Sequence, residues 1–145
     1  MHRFIFIFLC IIILWSPIPL GSHRIWSDAL LELLIASLAV LWLLSPSKES
    51  LLNKSLNQNK MIIGLFWLIP LWSALQLVPL PPAVTALLSP HSVSYFPADT
   101  WHSLSLDSGA TLYKLQKSIA YALFFTLTLA IINTPERLNL VAQVI

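Results

Sequence analysis

Four residues in one stretch of this 145-residue chain are of the types that move protons: His91, Asp99, His102 and Asp107. A histidine beside a carboxylate can act as a general acid or base. His102 and Asp107 stand five apart, however, and no regular element forces that spacing into contact. The structural reading of the same residues is a solvated loop in which Asp107 is a helix N-cap, its carboxylate accepting a backbone N–H two or three residues on. A metal site needs a cluster of ligands. The histidines (His2, His23, His91, His102) are scattered, no HxxxH occurs, and Cys10 is a lone cysteine inside an apolar run. Cys10 therefore reads as apolar filler, and neither metal nor cofactor is expected. The phosphate-cradling GxxxxGK[ST], the dinucleotide GxGxxG and the hydrolase GxSxG are all missing from a chain with three glycines. Kinase, Rossmann and hydrolase chemistries are thereby excluded.

The elements that would position these residues are set by composition. The chain is 57% hydrophobic and 10% charged, with a mean hydropathy of +0.80. A soluble domain carries about 25% charged residues, and one this apolar would expose large greasy patches. The expectation is an all-α membrane protein with lipid covering its surface. The formal charge of +2 comes from scattered positives. No basic stripe is present, so nucleic acid is not an expected partner.

In chain order, Met1–Arg3 is a short positive start, and the apolar run of residues 4–20 reads as a first, uncleaved span. Its 17 residues would cover about 26 Å as a helix, close to the ~30 Å of a hydrocarbon core. Residues 25–44 form the second expected span, with Arg24, Asp28 and Glu32 one turn apart near its start and Trp26 at the expected water–lipid boundary. Acids suit a helix N-terminus, so this trio reads as a polar patch kept near water. The functional alternative has Arg24 facing a phosphate-bearing ligand. Residues 61–78 form the third expected span, with Pro70 between Trp67 and Trp72, and 117–132 the fourth. Between them lies an outer segment, 79–116, in which Pro79, Pro81 and Pro82 stop one helix and Ala83–Leu88 forms a short interfacial one. Lys114 and Lys117 follow the Asp107 cap and are placed to snorkel toward headgroups. Thr134 as N-cap and Pro135 at the first helical position restart the chain as a partial fifth helix, 135–145. The apolar residues of 138–145 would need partner helices to cover them, and the stretch reads as the end of an N-terminal portion of a larger protein.

Lysines and arginines orient spans by their cytoplasmic excess. With a cytoplasmic N-terminus, the inside set is Arg3, Lys48, Lys54, Lys60 and Arg137, and the outside set is Arg24, Lys114 and Lys117. The outer segment then faces away from the cytoplasm. Deep ionisable groups, the usual mark of a transporter, are missing from the expected spans apart from Asp28 and Glu32.

The order of PLGSHRIWS, LVPLPPAVTALLSP and LSLDSGATLYKLQKSIAYALFF resembles the N-terminal part of the O-antigen ligase family, relatives of the O-antigen polymerases. The matching pieces are Pro19-Leu20-Gly21 with Arg24 and Trp26, Pro79-Leu80-Pro81-Pro82 with Leu88-Ser89-Pro90, and Ser105-Leu106-Asp107 with Thr111. The resemblance implies a multi-pass protein of the bacterial inner membrane. It also implies a GT-C-type glycosyltransferase that moves a glycan from an undecaprenyl-diphosphate carrier to a lipid A core or similar acceptor, with no nucleotide sugar or obligatory metal. It makes Arg24, Lys114 and Lys117 candidate diphosphate or headgroup contacts. The family's catalytic arginines and histidine lie further along than Ile145, so no catalytic residue is assigned and the chain alone is expected to be inactive. The alternative from another class is a small non-catalytic membrane subunit or assembly partner. Part of a transporter is a third.

Overall fold

A computed structural model of the chain describes residues 2–17, 25–45, 55–90, 95, 100–132 and 134–144. Among them it is helical, with one minimal two-stranded sheet. In order, the elements are α1 (His2–Trp15), α2 (Ile25–Leu43), α3 (Lys60–Leu75), β1 (Pro79–Leu80), α4 (Pro82–Leu88), β2 (His102–Ser103), α5 (Ser108–Ile131) and α6 (Pro135–Val144).

The helix ends follow from local chemistry. α1 stops where Pro17 offers no backbone donor, after the Ser16 N–H closes on the Ile12 carbonyl at 3.0 Å. α2 contains no glycine or proline and is rich in leucine and alanine, the strongest helix formers. It tightens at its end, the Ser45 N–H reaching the Trp42 carbonyl three residues back. α3 unwinds the same way at Leu77 and Val78 before Pro79.

The chain divides into two compact units, residues 1–65 with 120–145, and residues 66–119. In the first unit Ile5, Leu9 and Ile12 of α1 pack with Leu31, Ile35 and Leu38 of α2 and with Ala120, Leu127 and Ile131 of α5. Both triplets are spaced four then three residues apart, which lines each along one face of its helix. Phe6, Phe8, Leu34, Trp42, Leu123 and Phe124 close the margins of this core. Hydroxyls in these helices bond back to their own turns, Thr126 to the Ala122 carbonyl and Thr128 to the Phe124 carbonyl. Ser55 instead donates across to the Leu129 carbonyl at 2.9 Å. α6 enters beside α1, with Arg137 donating to the Ile131 carbonyl at 2.7 Å and lying 5.6 Å from the Phe6 ring centre.

The all-α expectation stands and a short helix does form at Pro82–Leu88, but the expected four spans and partial fifth are overturned. Among the described residues one helix, over Trp26–Leu43, is long and apolar enough to cross a membrane. The expected first span joined Phe4 to Leu20, but α1 ends at Trp15, about 21 Å of helix. The expected third is α3, 16 residues, about 24 Å. The expected fourth lies within α5, whose 24 residues include Lys114, Gln116 and Lys117 in their first half. Continuous apolar sequence is not continuous helix here, because turns at Ser16-Pro17 and Gln76–Val78 interrupt it.

A second correction concerns the acids of α2. Asp28 is 5% exposed and Ser27 is fully buried, so this end of the helix is not a patch kept in water. Asp28 falls three residues before Leu31 and so continues the buried stripe of Leu31, Ile35 and Leu38. Glu32 lies four residues further, and its Oε1 is enclosed without a hydrogen-bond partner.

Candidate functional site

The second unit, residues 66–119, contains most of the residues to which chemistry could be assigned. Its frame begins at the prolines. The Pro79-Leu80 strand pairs antiparallel with His102-Ser103, Pro79 opposite Ser103 and Leu80 opposite His102. Beyond the strands, two residues past Ser103 and three before Pro79, the Ser105 N–H donates to the Gln76 carbonyl at 3.1 Å. Together these bonds hold the two ends of a long excursion side by side.

Pro81 then serves as N-cap of α4 with extended backbone, and Pro82 occupies the first helical position, where a missing N–H costs nothing. Thr85 is the buried residue of this helix, and its hydroxyl donates to the Pro82 carbonyl at 3.0 Å. The Ser89 N–H closes the far end on the Thr85 carbonyl at 2.8 Å. α4 packs against β2, while Leu87 is left 83% exposed.

On the other side a set of hydroxyls starts α5. Ser103 donates to the Ser105 carbonyl at 3.0 Å. The Ser105 and Thr111 hydroxyls meet at 2.7 Å. Asp107 Oδ1 accepts the Ala110 N–H at 2.9 Å, while the Asp107 carbonyl accepts from the Thr111 N–H. That carboxylate therefore satisfies one of the four N–H groups a helix start leaves open. Gly109 sits under it, because a Cβ there would meet Asp107 Oδ1 at 3.4 Å.

These contacts decide what the proton-moving residues can do. His102 is buried, and its Nδ1 lies 3.0 Å from the Thr100 carbonyl. A carbonyl only accepts, so Nδ1 is the donor in this contact. Asp107 is committed to α5 rather than to His102. A His102–Asp107 general acid–base pair is thus not assembled. His91 and Asp99 lie outside the described residues. Among the described residues no cluster of three His, Cys, Asp or Glu side chains could hold a metal.

The candidate ligand contacts separate. Arg24 lies outside the described residues, as does the rest of the turn before α2. Lys114 is exposed and Lys117 half-buried. They stand three apart on α5, which puts them on neighbouring positions of one face. They follow the Asp107 cap by two and three turns of helix. Thr134 accepts the Arg137 N–H at the start of α6, at a long 3.4 Å. Sequence reasoning missed the pairing of β1 with β2. Its one signal was the bracketing of the excursion by Pro79 and by the Ser103–Ser105 hydroxyls, and neither marks a strand.

Comparison with protein-family models, with curated proteins and with solved structures finds no match to this chain.

Proposed function

We propose that the chain serves the transfer of a glycan from an undecaprenyl-diphosphate carrier to a lipid A core or similar acceptor, in the manner of O-antigen ligase-like proteins of the bacterial inner membrane. The supporting observation is the folding together of two of the three stretches that carry the resemblance. Pro79–Pro82, Leu88–Pro90 and Ser105–Thr111 belong to one hydrogen-bonded unit, tied by the Ser105 N–H to the Gln76 carbonyl. In this reading the unit positions the cations of α5. Lys114 and Lys117 offer ammonium groups to a diphosphate, and an ionised donor on a phosphate oxygen makes the stronger, shorter class of hydrogen bond. Arg24 is assigned the same role. The glycosyl-transfer step itself is not assigned to any residue of this chain.

The test is deletion of the gene in its own host, with lipopolysaccharide resolved on gels. The expected result is loss of the glycan-bearing bands with lipid A core retained. Complementation with a Lys114→Ala/Lys117→Ala double variant, or with Arg24→Ala, should restore several-fold less ligation at equal protein level. Unchanged lipopolysaccharide in the deletion strain overturns the proposal.

A second reading, a non-catalytic membrane subunit, is favoured by α6. Val141 is buried there, yet Leu138 and Leu140 are exposed. In this reading a partner helix covers them. Leu138→Glu/Leu140→Glu should then abolish co-purification of a partner from native membranes while leaving the helical circular dichroism of the chain intact.

A further inference from the structure

We propose that α1 carries a binding site for one anionic phospholipid, whose phosphate sits at Arg3 and Arg137 and whose acyl chain lies along the outer face of the helix. This inference does not rest on the glycan reading, and it concerns the first unit alone. Ile5, Leu9 and Ile12 form the buried side of α1. Arg3, Ile7, Ile11 and Leu14 are exposed and follow one another at intervals of four, four and three residues, which lines them along one face. At about 100° per residue, that face points away from the buried one. Phe4 joins its edge, 60% exposed, with its ring stacked on Phe8. Between Arg3 and Leu14 every side chain is apolar, the Cys10 thiol behaving as a small hydrophobe.

The head of this stripe is cationic on two sides. Phe6 stands three residues after Arg3 and so neighbours it on the helix surface. The Arg137 guanidinium lies 5.6 Å from the Phe6 ring centre and is held there by its 2.7 Å bond to the Ile131 carbonyl. α6 thus delivers a second cation to the start of α1. Glu136, the acid next to it, is turned about 100° away around α6. Two like charges favour an anion between them, and the planar guanidinium fork matches phosphate oxygens. From Arg3 to Leu14 the face runs about 16 Å, close to half of the ~30 Å hydrocarbon core. The stripe therefore has the length of one leaflet, with its cations at headgroup level. A free phosphate would use the arginines and leave the apolar face bare. A partner helix would cover the face and leave the arginines without an anion. A molecule with an anionic head and an apolar tail satisfies both, as in the basic pockets that take lipid headgroups beside membrane helices.

The experiment uses the full chain, purified in a mild non-ionic detergent with no glycan present. It is mixed with equal amounts of phosphatidylglycerol and phosphatidylcholine of the same acyl chains, and native mass spectrometry measures the lipid retained. The expected result is several-fold more phosphatidylglycerol than phosphatidylcholine. Arg3→Gln should bring the two near parity, and Arg3→Lys, which keeps the charge but not the fork, should restore part of the preference. Arg137→Gln should act like Arg3→Gln, with circular dichroism checking the fold; because Arg3 is exposed, its variant decides the matter if α6 is lost in the other. Ile7→Ser/Ile11→Ser should lower retention of both lipids. Equal retention of the two lipids by the wild-type chain, or a preference that survives Arg3→Gln, overturns the proposal. Displacement of phosphatidylglycerol by inorganic phosphate, with no effect of Ile7→Ser/Ile11→Ser, leaves a plain anion site and overturns it. A lipid-free dimer places a second copy along the stripe and overturns it equally. None of these variants touches Arg24, Lys114 or Lys117, so this inference and the glycan reading fail separately.

Discussion

The two units of this chain use similar residues in opposite places. In the first, leucines and isoleucines of α1, α2 and α5 point at one another and form a dry core. In the second, α3 and α4 turn Leu68, Trp72, Leu87 and Leu88 outward, and the ties within the unit are hydrogen bonds that involve Gln76, Thr85, Ser103, Ser105, Asp107 and Thr111. The difference shows that hydropathy alone does not say where an apolar residue goes. In the first unit the helix-spaced stripes find partners within the unit. In the second the turns are short and polar enough to satisfy themselves, and the apolar surface is left for something else.

The largest effect that tests this contrast is a matched truncation. Leu9 is fully buried among the first unit's core residues. Leu9→Ala should cost about 2–5 kcal/mol, because it removes buried methyls and leaves a cavity. Leu87→Ala, at 83% exposure, should stay within about 0.5 kcal/mol in detergent, as surface substitutions do. Denaturant unfolding of each variant, followed by circular dichroism, measures both. Equal losses would mean that Leu87 is a core residue in solution and that the units are alike.

A smaller effect probes what holds the second unit. Asp107→Ala deletes the acceptor for the Ala110 N–H and should cost about 1 kcal/mol, the usual worth of such a cap. Asp107→Asn should recover most of it, since the amide oxygen accepts the same bond. Hydrogen exchange at Ala110 should speed up in the first variant and return toward the wild-type rate in the second. No change in exchange would break the claim that hydrogen bonds carry this unit.

The contrast also explains what the sequence made legible. Helix starts were readable, because caps are chemistry within three or four residues: Asp107 precedes α5, Thr134-Pro135 opens α6, and Pro82 opens α4. Burial was not. Asp28 looks like a solvent-facing acid beside a helix start, yet it continues the stripe of Leu31 and Ile35 into the interior, a fact set by tertiary packing rather than by its neighbours in sequence. The number of membrane-crossing helices is illegible for the same reason, since an apolar run shows hydropathy but not where the helix inside it ends. The β1–β2 pairing joins residues more than twenty apart through strands of two residues, too short to show any alternation. In the candidate site the lysines of α5 were readable as a helical pair, whereas the commitment of Asp107 to a cap and of His102 to the Thr100 carbonyl required the fold.

The smallest effect is the sharpest comparison, because it places the same kind of interaction in the other unit. Thr134 caps α6 through a 3.4 Å bond to the Arg137 N–H, long for a hydrogen bond. α6 has other restraints: Val141 is buried, the Arg137 guanidinium donates to the Ile131 carbonyl at 2.7 Å, and the same group lies against the Phe6 ring. Thr134→Ala should therefore cost less than about 0.5 kcal/mol, below the usual range for a lost cap, and leave exchange at Arg137 nearly unchanged. If burial holds the first unit, its cap is dispensable while that of the second is not. A loss as large as that of Asp107→Ala would remove the distinction, since both units would then depend on their helix starts.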